Sequence, residues 1–144
     1  MAQYTVLNEE DIRFILSRFG IDNYSEARVL SGGSENTNYA IKTSSDHFVV
    51  SICEQKSEQS SSELAYLLEH LKKHGFQTSE VVESLSGKPI ILWNQKPIML
   101  KRFLNGKVVS DLSFELLELI GIEMAKLHKI PAPAYIPEIL NFGK

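Results

Sequence analysis

Apolar residues recur along this chain with two periods that alternate in a fixed order. After Asn8, the residues Ile12, Ile15, Leu16 and Phe19 fall at helical spacing, with Asn8 able to cap the start and Gly20 to end the helix. The pattern then shortens and predicts strands over 27–31, 37–43 and 47–54, the last two joined by the turn Ser44-Ser45-Asp46. Three strands with such short connections make an antiparallel meander. A second helix is expected after the S-x-x-E capping box of Ser60 to Glu63, carrying Leu64, Leu67, Leu68 and Leu71 as one stripe and ending at Gly75. Lys72, Lys73 and His74 suit the negative end of its dipole.

Strand spacing then returns over 81–85, 89–93 and 98–104, with turns at Ser86-Gly87-Lys88 and Asn94-Gln95-Lys96. A sheet of five or six strands results, with the second helix inserted midway. Asn105-Gly106-Lys107 breaks the run. Ser110 or Asp111 can cap a last helix carrying Leu117, Ile120, Met124 and Leu127, which Pro131, Pro133 and Pro137 stop.

The segment Ser31-Gly32-Gly33-Ser34-Glu35-Asn36-Thr37-Asn38-Tyr39 sits between two of these strands. Its glycines allow a positive φ and a close approach of ligand to backbone, so bare N–H groups can lie against a phosphate. An ordinary Gly-Gly hairpin accounts for the same residues. The G-x-G-x-x-G pattern is incomplete, and a strand follows in place of a helix, which argues against a Rossmann or Walker-type site.

Composition narrows the classes. With 144 residues, 43% of them hydrophobic, the chain buries one sizeable core. Its 15 basic and 18 acidic residues give a net charge of −3, and the basic residues are scattered on hairpins, so neither nucleic acid nor a membrane surface is an expected partner. The lone Cys53 lies in an apolar run and reads as a buried small hydrophobe in a reducing compartment. No stretch is long and apolar enough for a membrane span, and the first residues lack a signal-peptide pattern, so a cytoplasmic location is expected. No metal-spaced His/Cys cluster, paired carboxylates or nucleophile-base pair appears, and no catalytic residue is assigned. His128, at the end of the last helix, reads as a structural histidine, and Glu115, Glu118 and Glu123 as a solvated face.

The order of helix, Gly-rich hairpin, third strand, helix, further strands and a crossover ending in Phe103-Leu104-Asn105-Gly106 resembles the N-terminal lobe of a protein-kinase-like fold. Within that superfamily the loop Gly33 to Tyr39, the strand Phe48-Val49-Val50-Ser51, the Phe103-Leu104-Asn105-Gly106 turn and the stretch from Gly121 to Leu127-His128 are similar to small-molecule kinases of the aminoglycoside-phosphotransferase type, most of all its homoserine kinases. The implied fold is α+β: an N-lobe over 1–104 whose antiparallel sheet carries an inserted helix, preceded by an N-terminal helix, then a linker and the first helix of a C-terminal lobe over 105–144.

The resemblance implies binding of ATP, with Mg²⁺ held by residues of the second lobe. The backbone N–H groups of Ser34, Glu35, Asn36 and Thr37 would fold over the β- and γ-phosphates, with Gly32 and Gly33 allowing the close approach and Asn36 or Asn38 fixing the loop by side-chain hydrogen bonds. Lys101, Arg102, Phe103 and Leu104 would offer backbone groups to the adenine edge. Ser51 takes the place of the third-strand lysine of protein kinases, so the phosphates need another cation or rely on metal and backbone. Lys42 is a candidate, although a solvated strand-end lysine is the commoner fate. Glu63 is the residue nearest to the helix glutamate of that pattern, and a capping role explains it as well.

No His-x-Asp-x-x-x-x-Asn catalytic loop occurs in these residues, so this stretch is not expected to be a competent kinase alone. Two classes of function follow. One is the nucleotide-binding part of an ATP-dependent kinase acting on homoserine, or on another alcohol such as an aminoglycoside or choline, bound through a second lobe. The other is a non-catalytic module that binds a partner, or a second copy of itself, through the apolar face of the last helix.

Overall fold

The computed structural model describes residues 5–32 and 34–136. Gly33, Pro137 and the rest of 137–144 lie outside the described residues. Three helices and one six-stranded antiparallel sheet are present among them, in the order α1 (Glu9–Ser17), β1 (Tyr24–Leu30), β2 (Asn36–Thr43), β3 (His47–Cys53), α2 (Glu58–Lys73), β4 (Val81–Val82), β5 (Ile91–Trp93), β6 (Lys96–Arg102) and α3 (Phe114–His128). The expected α+β architecture with an inserted helix is the one observed.

Helix α1 begins where the sequence predicts. Asn8 accepts from the Asp11 N–H while Asp11 returns a bond to the Asn8 N–H, and Leu7 and Ile12 join the core on either side of this cap as a hydrophobic staple. At its end Gly20, at φ +75°, lets the Ile21 N–H reach the Leu16 carbonyl at 3.0 Å. A side chain there would also meet Leu85 at 3.2 Å, so the backbone conformation and the close packing both favour glycine.

Sheet order is β1-β2-β3-β6-β4, with β5 pairing the other end of β6. Because side chains alternate between faces, the register sorts them into two sets. On one face Tyr39, Ile41, Phe48, Val50, Ile52, Ile98 and Leu100 form the main core with Ile12, Ile15, Leu16 and Phe19 of α1. On the other face Met99 packs with Ile90 and Ala65 of α2 in a smaller cluster. That second face also carries Arg28, Asn38, Ala40, Lys42, Val49, Ser51 and Lys101, by the pairings Arg28↔Ala40, Asn38↔Ser51, Ala40↔Val49, Lys42↔His47 and Val49↔Lys101.

Four expectations about element ends need correction. The α2 cap is Ser57, whose side chain accepts from the Ser60 N–H, so Ser60 to Glu63 lie inside the helix and form no capping box. Ser113 caps α3, displacing Ser110 and Asp111. The strand expected over 81–85 shrinks to Val81–Val82, because the Ser84 N–H bonds Lys88 within the turn and the Leu85 N–H bonds Arg18 at the end of α1. The strand expected over 98–104 is shifted to Lys96–Arg102, because a two-residue turn with positive φ at Asn94 and Gln95 brings Trp93 directly opposite Lys96. No helix of the described residues is long and apolar enough to cross a membrane.

Candidate nucleotide site

The glycine loop, β3 and the segment after β6 meet on the face that α2 only partly covers. Gly32, Ser34 and Glu35 are exposed at the tip of the β1–β2 hairpin, and Gly32 sits at φ +124° with open space around it. Lys56 pairs with Glu35 at 3.2 Å and tethers the loop to the segment after β3. Just inside, the Asn36 side-chain oxygen is buried with no partner among the described residues, as is the hydroxyl of Ser61 on α2. Buried polar atoms are nearly always hydrogen-bonded, so two unpartnered ones near the start of β2 and in the first turns of α2 mark unused bonding capacity.

Ser51 is almost fully buried, and its hydroxyl donates to the Asn38 side-chain oxygen at 2.7 Å. The two are directly opposite in the β2–β3 ladder, so this bond holds the Asn38 amide against the sheet and turns its nitrogen away from Ser51. The Thr37 side chain takes no part. It faces the opposite side, where its hydroxyl donates to Glu54 at 2.6 Å.

At the other end of the face a recess of about 230 Å³ is lined by Arg28, Ala40, Lys42, His47 and Phe103, among others. Phe103 stands edge-on to the His47 ring with centroids 6.1 Å apart. Two of the backbone donors expected at this edge are committed elsewhere: the Arg102 N–H bonds the Glu80 carbonyl at 2.8 Å and the Phe103 N–H bonds His47 at 2.9 Å. The Arg102 guanidinium is also turned to the α1 face, over the Phe48 ring and beside Asp46 and Glu80. Leu104 is half exposed, and its N–H has no hydrogen-bond partner among the described residues.

Lys42 does not approach Ser51. It shares the face, but it lies four residues along β2 from Asn38, about 13 Å at strand spacing, and its ammonium is exposed at the recess end. Glu63 is exposed on α2 and pairs with Gln59 at 3.0 Å; no bond joins it to the sheet.

Sequence reasoning missed the best-connected carboxylate. The Glu54 side chain is 5% exposed and accepts from Thr5 and Thr37, and both Glu54 and the Thr5 hydroxyl accept from Lys96. Burial works to raise the Glu54 pKa, but the hydrogen bonds from Lys96, Thr37 and Thr5 and the charge of Lys96 outweigh it and hold the carboxyl below its usual range. The available signal was a glutamate directly after a mostly apolar strand. Nothing local in the sequence names its lysine, 42 residues away.

Among the described residues no group of three His, Cys, Asp or Glu side chains could hold a metal ion.

The profile of the phosphotransferase enzyme family, APH, matches residues 26–140. A homoserine kinase of Beijerinckia indica subsp. indica is 26% identical over 135 residues, covering 92% of this chain and 41% of the relative. A homoserine kinase of Brucella ovis is 27% identical over 131 residues, with 89% and 40% covered. The chain thus spans about two fifths of the length of these curated relatives. Among solved structures, a spectinomycin phosphotransferase in complex with ADP and spectinomycin superposes with a TM-score of 0.71 at 14% identity, covering 89% of this chain and 39% of that one. A microcompartment-associated aminopropanol kinase gives 0.68 at 16% identity, covering 92% and 44%.

Proposed function

The chain belongs to the phosphotransferase enzyme family, and from that premise we propose that residues 1–104 are the nucleotide-binding lobe of an ATP-dependent small-molecule kinase and residues 105–144 its linker and the start of a second lobe. One observation carries this reading: the exposed glycine loop, the Asn38–Ser51 pair and the recess beside Phe103 lie along one face of one sheet. A nucleoside triphosphate laid along that face would put its base in the recess and its phosphates under the loop. The N–H groups of Ser34 and Glu35 and the Asn38 amide would meet the phosphate oxygens, and Ala40, Val49 and Phe103 would contact the ring.

The proposed reaction is transfer of the γ-phosphoryl group of ATP to the side-chain hydroxyl of L-homoserine. The bond between the γ-phosphorus and the β–γ bridging oxygen breaks, a bond to the homoserine oxygen forms, and ADP leaves. The base that takes the hydroxyl proton and the ligands of Mg²⁺, which would offset charge on the phosphates, are assigned to the second lobe, since the described residues offer no metal-holding cluster. Homoserine is favoured as acceptor by the curated relatives. An amino alcohol is the second reading, favoured by the likeness to the aminopropanol kinase.

Incubating the full-length protein with ATP and, separately, L-homoserine, 1-amino-2-propanol, choline and spectinomycin tests both. Homoserine-dependent ADP release well above the others is the expected result. Turnover of a different acceptor would replace the substrate and keep the kinase, whereas no nucleotide binding at all would remove both.

A further inference from the structure

We propose that Lys101 is the cation that grips the nucleotide phosphates in this chain, reaching from β6 into the place that Ser51 leaves uncharged on β3. The inference rests on the reading of this sheet face as the nucleotide site.

The register sets the geometry. Lys101 is directly opposite Val49, and Met99 is directly opposite Ser51, so Lys101 and Ser51 are diagonal neighbours on the same face. Diagonal neighbours in an antiparallel pair are about 7–8 Å apart, within reach of a long side chain. On its other side Lys101 is opposite Val81 of β4, and Met99 beside it is buried against α2. The Lys101 side chain therefore leaves β6 beside Val49, Val81 and Met99, and no carboxylate among the described residues forms an ion pair with it.

A cation in such a place is costly to keep. Burial pushes the Lys101 pKa down, and the Cys53 thiol, when ionised, works weakly the other way. Cys53 lies beyond Ser51 on the same face of β3, toward the loop end of the sheet. A partly desolvated lysine without a counter-ion is a site awaiting an anion.

Several other cations of the sheet and its neighbours are already paired or stand at the base end. Lys96 is held by Glu54, Lys72 by Glu80 and Lys56 by Glu35. Arg102 faces α1. Arg28 and Lys42 line the recess at the base end.

The test uses the full-length protein and the ligands ATP, ADP and adenosine. Lys101→Met should weaken ATP and ADP by about tenfold to a hundredfold while adenosine stays within about twofold, the value of one charge-assisted contact to phosphate. Methionine keeps the length and removes only the desolvated charge, so the variant should fold at least as well as the parent. Unchanged ATP affinity in a folded Lys101→Met would overturn the proposal and leave the kinase reading standing. Equal losses of ATP and adenosine would overturn it too, since a merely structural residue acts on both. A second measurement needs no variant: an ATP acyl phosphate, which acylates lysines beside bound phosphates, should label Lys101 and be blocked by excess ATP. ATP-protected label on Lys42 or another lysine in its place would overturn the assignment. A parent protein that binds neither ATP nor adenosine would sink the inference together with the nucleotide-site reading.

Discussion

Lys96 Nζ lies 2.6 Å from the Glu54 carboxylate, joining the first residue of β6 to the residue that follows β3. The same carboxylate takes the hydroxyls of Thr5 and Thr37, and Tyr39 donates to the Thr5 carbonyl at 3.1 Å while its hydroxyl accepts from the Leu7 N–H at 3.0 Å. One buried group thus fixes the segment before α1 beneath the strand that carries the glycine loop. Glu54→Ala removes the acceptor shared by two buried hydroxyls and Lys96 and is expected to cost about 3 kcal/mol. Lys96→Met, whose side chain is one-third exposed, should cost on the order of 2 kcal/mol, and the double variant less than the sum. Urea denaturation of the four proteins measures this; strict additivity would show that the pair is not coupled.

The same site makes stability depend on pH. Glu54 has a folded pKa held below its usual 4.5, so the unfolded chain takes up this proton first as the pH falls. Its contribution is complete above that usual value and disappears as the pH drops through the folded value. Melting temperature followed from about pH 6 to about pH 3 should therefore fall more steeply in the parent than in Glu54→Gln, which has no proton to take up there. Parallel curves would remove Glu54 as a source of the acid slope.

Asn38 and Ser51 separate positioning from binding. If the Asn38 amide meets phosphate, Asn38→Ala should raise the nucleotide KM by about tenfold with a smaller change in kcat. Ser51→Ala leaves the amide present but no longer held at 2.7 Å, so a partial rise in the same constant is expected. An unchanged KM in Asn38→Ala would take the amide out of the site.

The strands and helices were legible because their causes are local: the apolar period, the Asn8 cap, Gly20 and Gly75 at φ +75°, and the turns around Gly87 and Asn94. The α2 and α3 caps were misplaced because several residues of equal capping ability stand together, Ser57 with Ser60 and Ser113 with Ser110 and Asp111, and packing of the helix decides among them. The site was legible as a loop and a crossover, but which side chains face it was not. Thr37 and Arg102 point to the far face while Lys101 points to the near one, a matter of pairing parity between strands distant in sequence, where a one-residue slip reverses every side chain.

Helix α3 carries the last prediction. Leu117, Ile120 and Met124 are 50%, 41% and 52% exposed, and a groove bounded by Phe76, Leu119, Ile120, Met124 and Leu127 runs along them. Apolar area of this kind favours association when nothing covers it. In isolation the 144-residue chain should sediment as a concentration-dependent mixture of monomer and larger species, and Ile120→Glu with Met124→Glu should return it to monomer. In the protein with the proposed second lobe, the same pair of changes should instead lower the melting temperature, because that lobe would pack on this face. Unchanged stability of that full-length variant would mean that the second lobe does not cover α3, and would return the helix to the reading in which it docks a separate partner.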